Sequence, residues 1–186
     1  GTVSFTNIEN VIPCFTPGSL IATARGEIRV EDLRVGDMAL TRDNGYQPVR
    51  WMGRRELSAA DLAANPSFAP VRLAAGCLGE GLPMRDMQVS PQHRSEMFFG
   101  EREVLVAALH LAGQPGIDRM TPAEGVTYIH VMFDQHEVIR ADGAWTESFQ
   151  PGDLTLAGMD DAQRNELLAL FPELQAGEGF AAARRS

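Results

Sequence analysis

Cys14-Phe15-Thr16-Pro17-Gly18-Ser19-Leu20-Ile21-Ala22-Thr23, with Glu31-Asp32-Leu33-Arg34-Val35-Gly36-Asp37 shortly after it, is the stretch that decides the fold. Leu20 to Thr23 runs into Arg25-Gly26, and beyond that turn Ile28 and Val30 alternate with charged neighbours. Period-two alternation across a glycine turn predicts a half-exposed hairpin. Val35-Gly36-Asp37 turns the chain into Met38 to Thr41. Asp43-Asn44-Gly45 then predicts another hairpin, because Asn-Gly accepts the positive φ values that tight turns need. Cys14 stands at the head of this β-rich run, where a thiol is placed to attack the peptide bond just upstream of itself.

The pattern continues along the chain. Val49 to Met52, Val71 to Leu73, Met87 to Ser90, Val104 to Val106, Tyr128 to Phe133 and Glu137 to Arg140 read as strands, and Asp142-Gly143 turns the last into Trp145-Thr146. Short strands at this spacing predict an all-β domain. Ser58 is placed to cap a short helix over Ala59 to Ala64, which Asn65-Pro66 would stop. A second helix is expected late, with Asp160 as N-cap, Gln163 completing a capping box, and Leu167, Leu168 and Phe171 on one face. The organisation read from the chain is a flank over 1–13, a β domain over 14–155, a helix over 156–174 and a tail over 175–186.

Composition narrows the function. Apolar residues make up 44% of the 186, which is ordinary for a globular domain. No apolar run approaches the roughly eighteen residues that span a bilayer. The net charge is −9, and arginine supplies all sixteen basic residues. An acidic chain without clustered cations argues against a nucleic-acid partner. The two cysteines, Cys14 and Cys77, form no Cys-x-x-Cys pair, so no zinc motif and no cofactor are expected. Cys77 reads as a small buried apolar residue.

These residues together resemble the Hint family, shared by inteins, hedgehog autoprocessing domains and bacterial intein-like modules. Cys14 to about Trp51 resembles its first block: a leading Cys, an apolar strand, a Gly turn, then Glu-Asp-Leu-x-Val-Gly-Asp. Val89-Ser90-Pro91-Gln92-His93 is similar to the second block, usually Thr-x-x-His, with Ser in place of Thr. Tyr128 to Val138 is similar to the third, with His136 on its histidine. The resemblance covers about residues 14 to 148. It implies a horseshoe- or disk-shaped fold with pseudo-two-fold halves. It is closest in kind to bacterial modules that end large secreted proteins, so a secreted or cell-surface setting is expected. Phe5 to Val11 looks like the tail of a calcium-binding glycine-rich repeat array.

The chemistry the resemblance implies is an N–S acyl shift. The Cys14 thiol attacks the carbonyl of Pro13 and converts the amide to a thioester, acting in cis on the upstream polypeptide. Water, a thiol or an amine then accepts the acyl group. Such a step needs a thiolate, a protonated leaving nitrogen and donors for the oxyanion. His93 is the candidate acid for the leaving amine, Ser90 the candidate partner of the scissile peptide, and His136 the candidate assistant in resolving the thioester. His130 is the weaker candidate, because alternation from Tyr128 to Met132 sets it opposite Ile129, Val131 and Phe133 and so toward solvent. His110 is expected to pack, Asp86 to be a plain exposed acid, and Asp134 to shape the turn before His136.

The far end departs from the family. Inteins close with His-Asn, whose Asn cyclises to cut the C-terminal bond, whereas Glu147-Ser148 stands there in this chain. An ionised Glu does not readily cyclise, so cleavage without full splicing is expected. Two other readings stay open on the sequence alone: a degenerate Hint domain kept as a structural or attachment module, and a Cys–His hydrolase acting in trans.

Overall fold

Residues 13–148 are described by a computed structural model, and they alternate short strands with glycine turns. The strands are β1 (Leu20–Thr23), β2 (Gly26–Arg29), β3 (Met38–Leu40), β4 (Tyr46–Pro48), β5 (Trp51–Leu57), β6 (Val71–Leu73) and β7 (Met87–Val89). They continue as β8 (Arg94–Phe99), β9 (Arg102–Ala107), β10 (Ile117–Arg119), β11 (Val126–Met132), β12 (Val138–Ala141) and β13 (Ala144–Glu147). Two short helices interrupt them, α1 (Ala59–Ala64) and α2 (Ala108–Leu111). The expected all-β architecture is what forms. The late helix and the tail lie outside the described residues.

The largest sheet runs β4-β3-β1-β12-β13-β8-β9, with β2 paired to β1 off that path. It curls. Arg42, just past β3 near one end, pairs with Glu96 of β8 at 2.7 Å and with Glu103 of β9 at the other end. An exposed ion pair of this kind adds little stability, but it marks how far the sheet has bent round. A three-stranded sheet, β10-β6-β7, and a two-stranded one, β11-β5, make up the rest. Phe15 joins these two smaller sheets, bridging Val89 of β7 on one side and Ile129 of β11 on the other. Its side chain, 1% exposed, packs in one apolar core with Ile21, Val71, Val89, Ile129 and Ile139.

Several local expectations hold for their stated reasons. Ser58 accepts from the Asp61 N–H while the Asp61 carboxylate accepts from the Ser58 N–H, a full capping box on α1. Gly45 at φ 64° and the pair Asp142 at 47° and Gly143 at 80° make the two hairpin turns. Other expectations fail. Val30 leaves β2 for a single 3₁₀ turn that buries it completely. β8 and β10 were not legible. β8 carries polar Ser95 on its inner face, which hides the alternation, and β10 has one apolar residue in three.

A candidate active site around Cys14

Register builds the site. In an antiparallel ladder, paired residues keep a constant sum of numbers, so Phe15 opposite Ile129 sets Cys14 opposite His130. By the same rule Phe15 opposite Val89 sets Cys14 opposite Ser90. Phe15 and Ile129 exchange both backbone hydrogen bonds at 2.8 Å, so the next pair, Cys14 and His130, is the non-hydrogen-bonded kind whose side chains approach most closely. Cys14 is thereby gripped from two strands at once.

On the β7 side, Ser90 N–H donates to the Cys14 carbonyl at 3.0 Å. The return bond is not the usual one. The Ser90 carbonyl accepts from His93 N–H at 3.0 Å as the chain turns through Pro91-Gln92. The Cys14 N–H therefore donates to Ser90 Oγ at 2.9 Å. That N–H belongs to the Pro13–Cys14 peptide, so Ser90 holds the bond expected to break, and Ser90 is 1% exposed.

On the β11 side, His130 Nδ1 lies 2.9 Å from Cys14 Sγ and 3.2 Å from the Pro13 carbonyl oxygen. The expectation that His130 faces solvent is wrong: it is 3% exposed. The run Tyr128-Ile129-His130-Val131-Met132 is buried on both faces: Ile129 and Val131 enter the apolar core, while on the other face Tyr128 donates to the Phe68 carbonyl and His130 lies against Pro13-Cys14. Near-continuous apolar character, rather than strict alternation, was the available signal. Burial disfavours the imidazolium and pushes His130 down to about 4, with the Pro13 contact opposing and His93 and Arg55 reinforcing the shift. His130 is thus a neutral imidazole against the thiol at ordinary pH.

His93 is wholly buried and packs edge-on against the Phe15 ring at 4.6 Å between centroids. Desolvation pushes it also down to about 4, partly offset by the charge of Glu147. Neither ring nitrogen has a hydrogen-bond partner among the described residues. His136 is placed elsewhere. It stands on the loop before β12, its side chain 42% exposed, with Nε2 3.4 Å from Glu147 Oε2. Glu147 also accepts from Arg94 N–H at 3.1 Å, so its buried carboxylate ties His136 to the strand that follows His93.

The remaining candidates fall outside this group. Cys77 is half-buried at the core margin, with burial pushing its thiol up, so it is less enclosed than expected. His110 is exposed on α2 and does not pack. Asp86 forms an exposed pair with Arg72 at 2.7 Å, and Asp134 one with Arg50 at 3.0 Å. Among the described residues no group of three His, Cys, Asp or Glu side chains could hold a metal ion, and no helix is long and apolar enough to cross a membrane.

Comparison with known proteins follows the same outline. The family model of the Hint domain matches residues 13–153. No curated protein sequence matches the chain. Among solved structures, the solution structure of a bacterial intein-like domain from Clostridium thermocellum is similar in fold. It has 14% identity and a TM-score of 0.51, over 73% of this chain and 98% of that one. A DnaB intein from Synechocystis sp. PCC 6803 is 13% identical with a TM-score of 0.47, over 74% of this chain and 99% of its own.

Proposed function

The chain belongs to the Hint domain family, and on that premise we propose that it cleaves its own Pro13–Cys14 bond through a thioester. One observation carries the reading. A single nitrogen, His130 Nδ1, lies within hydrogen-bond reach of both the nucleophile and the carbonyl oxygen it would attack. The Cys14 thiol gives its proton to neutral His130, and Sγ bonds to the Pro13 carbonyl carbon. The new imidazolium then donates to the oxyanion that develops on Pro13, supplying the electrostatic support acyl transfer requires.

Collapse of that intermediate breaks the C–N bond, and the Cys14 nitrogen leaves as an amine. The net proton movement runs from Cys14 Sγ to Cys14 N, carried by the imidazoles of His130 and His93. Ser90 Oγ, already bonded to that nitrogen, keeps the amide from rotating while the charge builds. The thioester is then open to an external nucleophile, which releases the segment upstream of Cys14. Splicing is not part of the proposal, because Glu147-Ser148 offers no Asn to cyclise.

The test is a fusion carrying a reporter upstream of residue 1, incubated with and without dithiothreitol. Thiol-stimulated release of the reporter that Cys14→Ala abolishes is the expected result. A fusion that stays whole at every thiol concentration between pH 6 and 9 would overturn the reading and favour a purely structural domain.

A further inference from the structure

Three buried polar side chains share one face of the large sheet, and one of them, His93, packs against the ring of Phe15, the residue after Cys14. His93 extends the β8 ladder by one residue, since its carbonyl accepts from Ala108 N–H next to the Arg94–Ala107 pair. Two residues on along the same strand, Ser95 therefore shares its face. Thr146 of β13 is the cross-strand partner of Ser95, which puts it on that face too. The three are 0%, 2% and 0% exposed. Both ring nitrogens of His93, Ser95 Oγ and Thr146 Oγ1 have no hydrogen-bond partner among the described residues.

Four buried polar atoms clustered in this way are costly unless something satisfies them. Neither hydroxyl can satisfy the whole set, because each brings only one proton. A water molecule can bridge one His93 ring nitrogen and both hydroxyls, since it donates twice and accepts twice and buried waters typically make about three hydrogen bonds. We propose that His93, Ser95 and Thr146 hold a water molecule that is the acyl acceptor, so that this domain resolves its thioester by hydrolysis. The inference rests on the thioester reading above and names its acceptor.

The step balances. The water oxygen bonds to the Pro13 carbonyl carbon as a water proton passes to the free lone pair of His93, and the C–S bond then breaks. Cys14 Sγ leaves and recovers a proton from an imidazolium. The products are a Pro13 carboxylate and a chain beginning with a free Cys14 amine and thiol. Ser95 and Thr146 are positioning residues, since they orient the water and do not touch the acyl group.

The test measures two rates on the same fusion: hydrolysis in buffer alone, and release by dithiothreitol. Thr146→Val and Ser95→Ala each remove one hydroxyl with almost no change in shape. Each is expected to shift the ratio of hydrolysis to thiolysis at least tenfold toward thiolysis. Equal loss of both rates, or an unchanged ratio, would overturn the assignment while leaving the thioester reading intact. Loss of thiolysis from the unmutated domain would instead sink the thioester reading. Folding gives a second check: a dry cluster would make Thr146→Val more stable than the parent, and that result also overturns the proposal.

Discussion

Cys14 and His130 face each other across an antiparallel bridge, with Sγ 2.9 Å from Nδ1, because Phe15 pairs with Ile129 one residue away. The contact on which the proposed chemistry depends is thus fixed by backbone register and an apolar neighbour rather than by a loop. Phe15 is buried in the core, so slippage of the Cys14 segment would expose it and separate thiol from base together.

His130→Ala removes the base and the oxyanion donor at once. Thioester formation, measured by trapping with hydroxylamine, is expected to fall by about 10²–10⁴, the usual range for a positioned acid or base. His136→Ala, which removes a half-exposed ring paired to Glu147, is expected to change the same rate less than about tenfold, well below that range.

Ser90→Ala strips the Cys14 N–H of its acceptor in a closed site. Leaving a buried donor unpaired costs about 1–3 kcal/mol, so chemical denaturation should show a loss of that size together with slower cleavage. Ser90→Thr keeps the hydroxyl and is expected to restore both. A Thr variant no better than Ala would show that the hydroxyl is not what matters.

Acid should destabilise the fold in a defined window. His93 and His130 are both pushed from 6.5 down to about 4 in the folded chain. The unfolded chain therefore binds more protons between those values, and stability rises with pH across them. It is full above about pH 6.5 and declines toward pH 4, by on the order of 3 kcal/mol for each histidine. Urea midpoints at pH 7, 5.5 and 4.5 check this, and His93→Gln should flatten the decline. Midpoints that do not move over this range would refute it.

Gly125→Ala should damage the fold and, through β11, disturb the site. Gly125 has φ +81°, and an added Cβ would lie 2.1 Å from the Leu57 carbonyl oxygen, a backbone atom that cannot swing away. The turn into β11 would have to open, displacing the strand that carries His130. A loss of more than about 2 kcal/mol, in the range of strained backbone positions, is expected in urea melts.

Much of this arrangement could be read from the residues. The hairpins at Asn44-Gly45 and Asp142-Gly143 and the capped helix after Ser58 follow from local chemistry, and the hold of Ser90 on the Pro13–Cys14 peptide was expected from the family resemblance. What could not be read was set by pairing between distant segments. His130 looked solvent-facing because alternation assumes one wet side, and β11 has none. Glu147-Ser148 was read only for the His-Asn pair it replaces, yet the Glu147 carboxylate ties His136 to the backbone of Arg94. Ser95 and Thr146 carry no motif, and only the β8–β13 register brings them beside His93.

The most direct test is the mass of the released upstream fragment when a fusion is incubated with hydroxylamine. A thioester at Pro13–Cys14 predicts a fragment ending at Pro13 as its hydroxamate, with none formed by Cys14→Ala. An intact fusion, or the same fragment produced by the Cys14→Ala chain, would contradict the account.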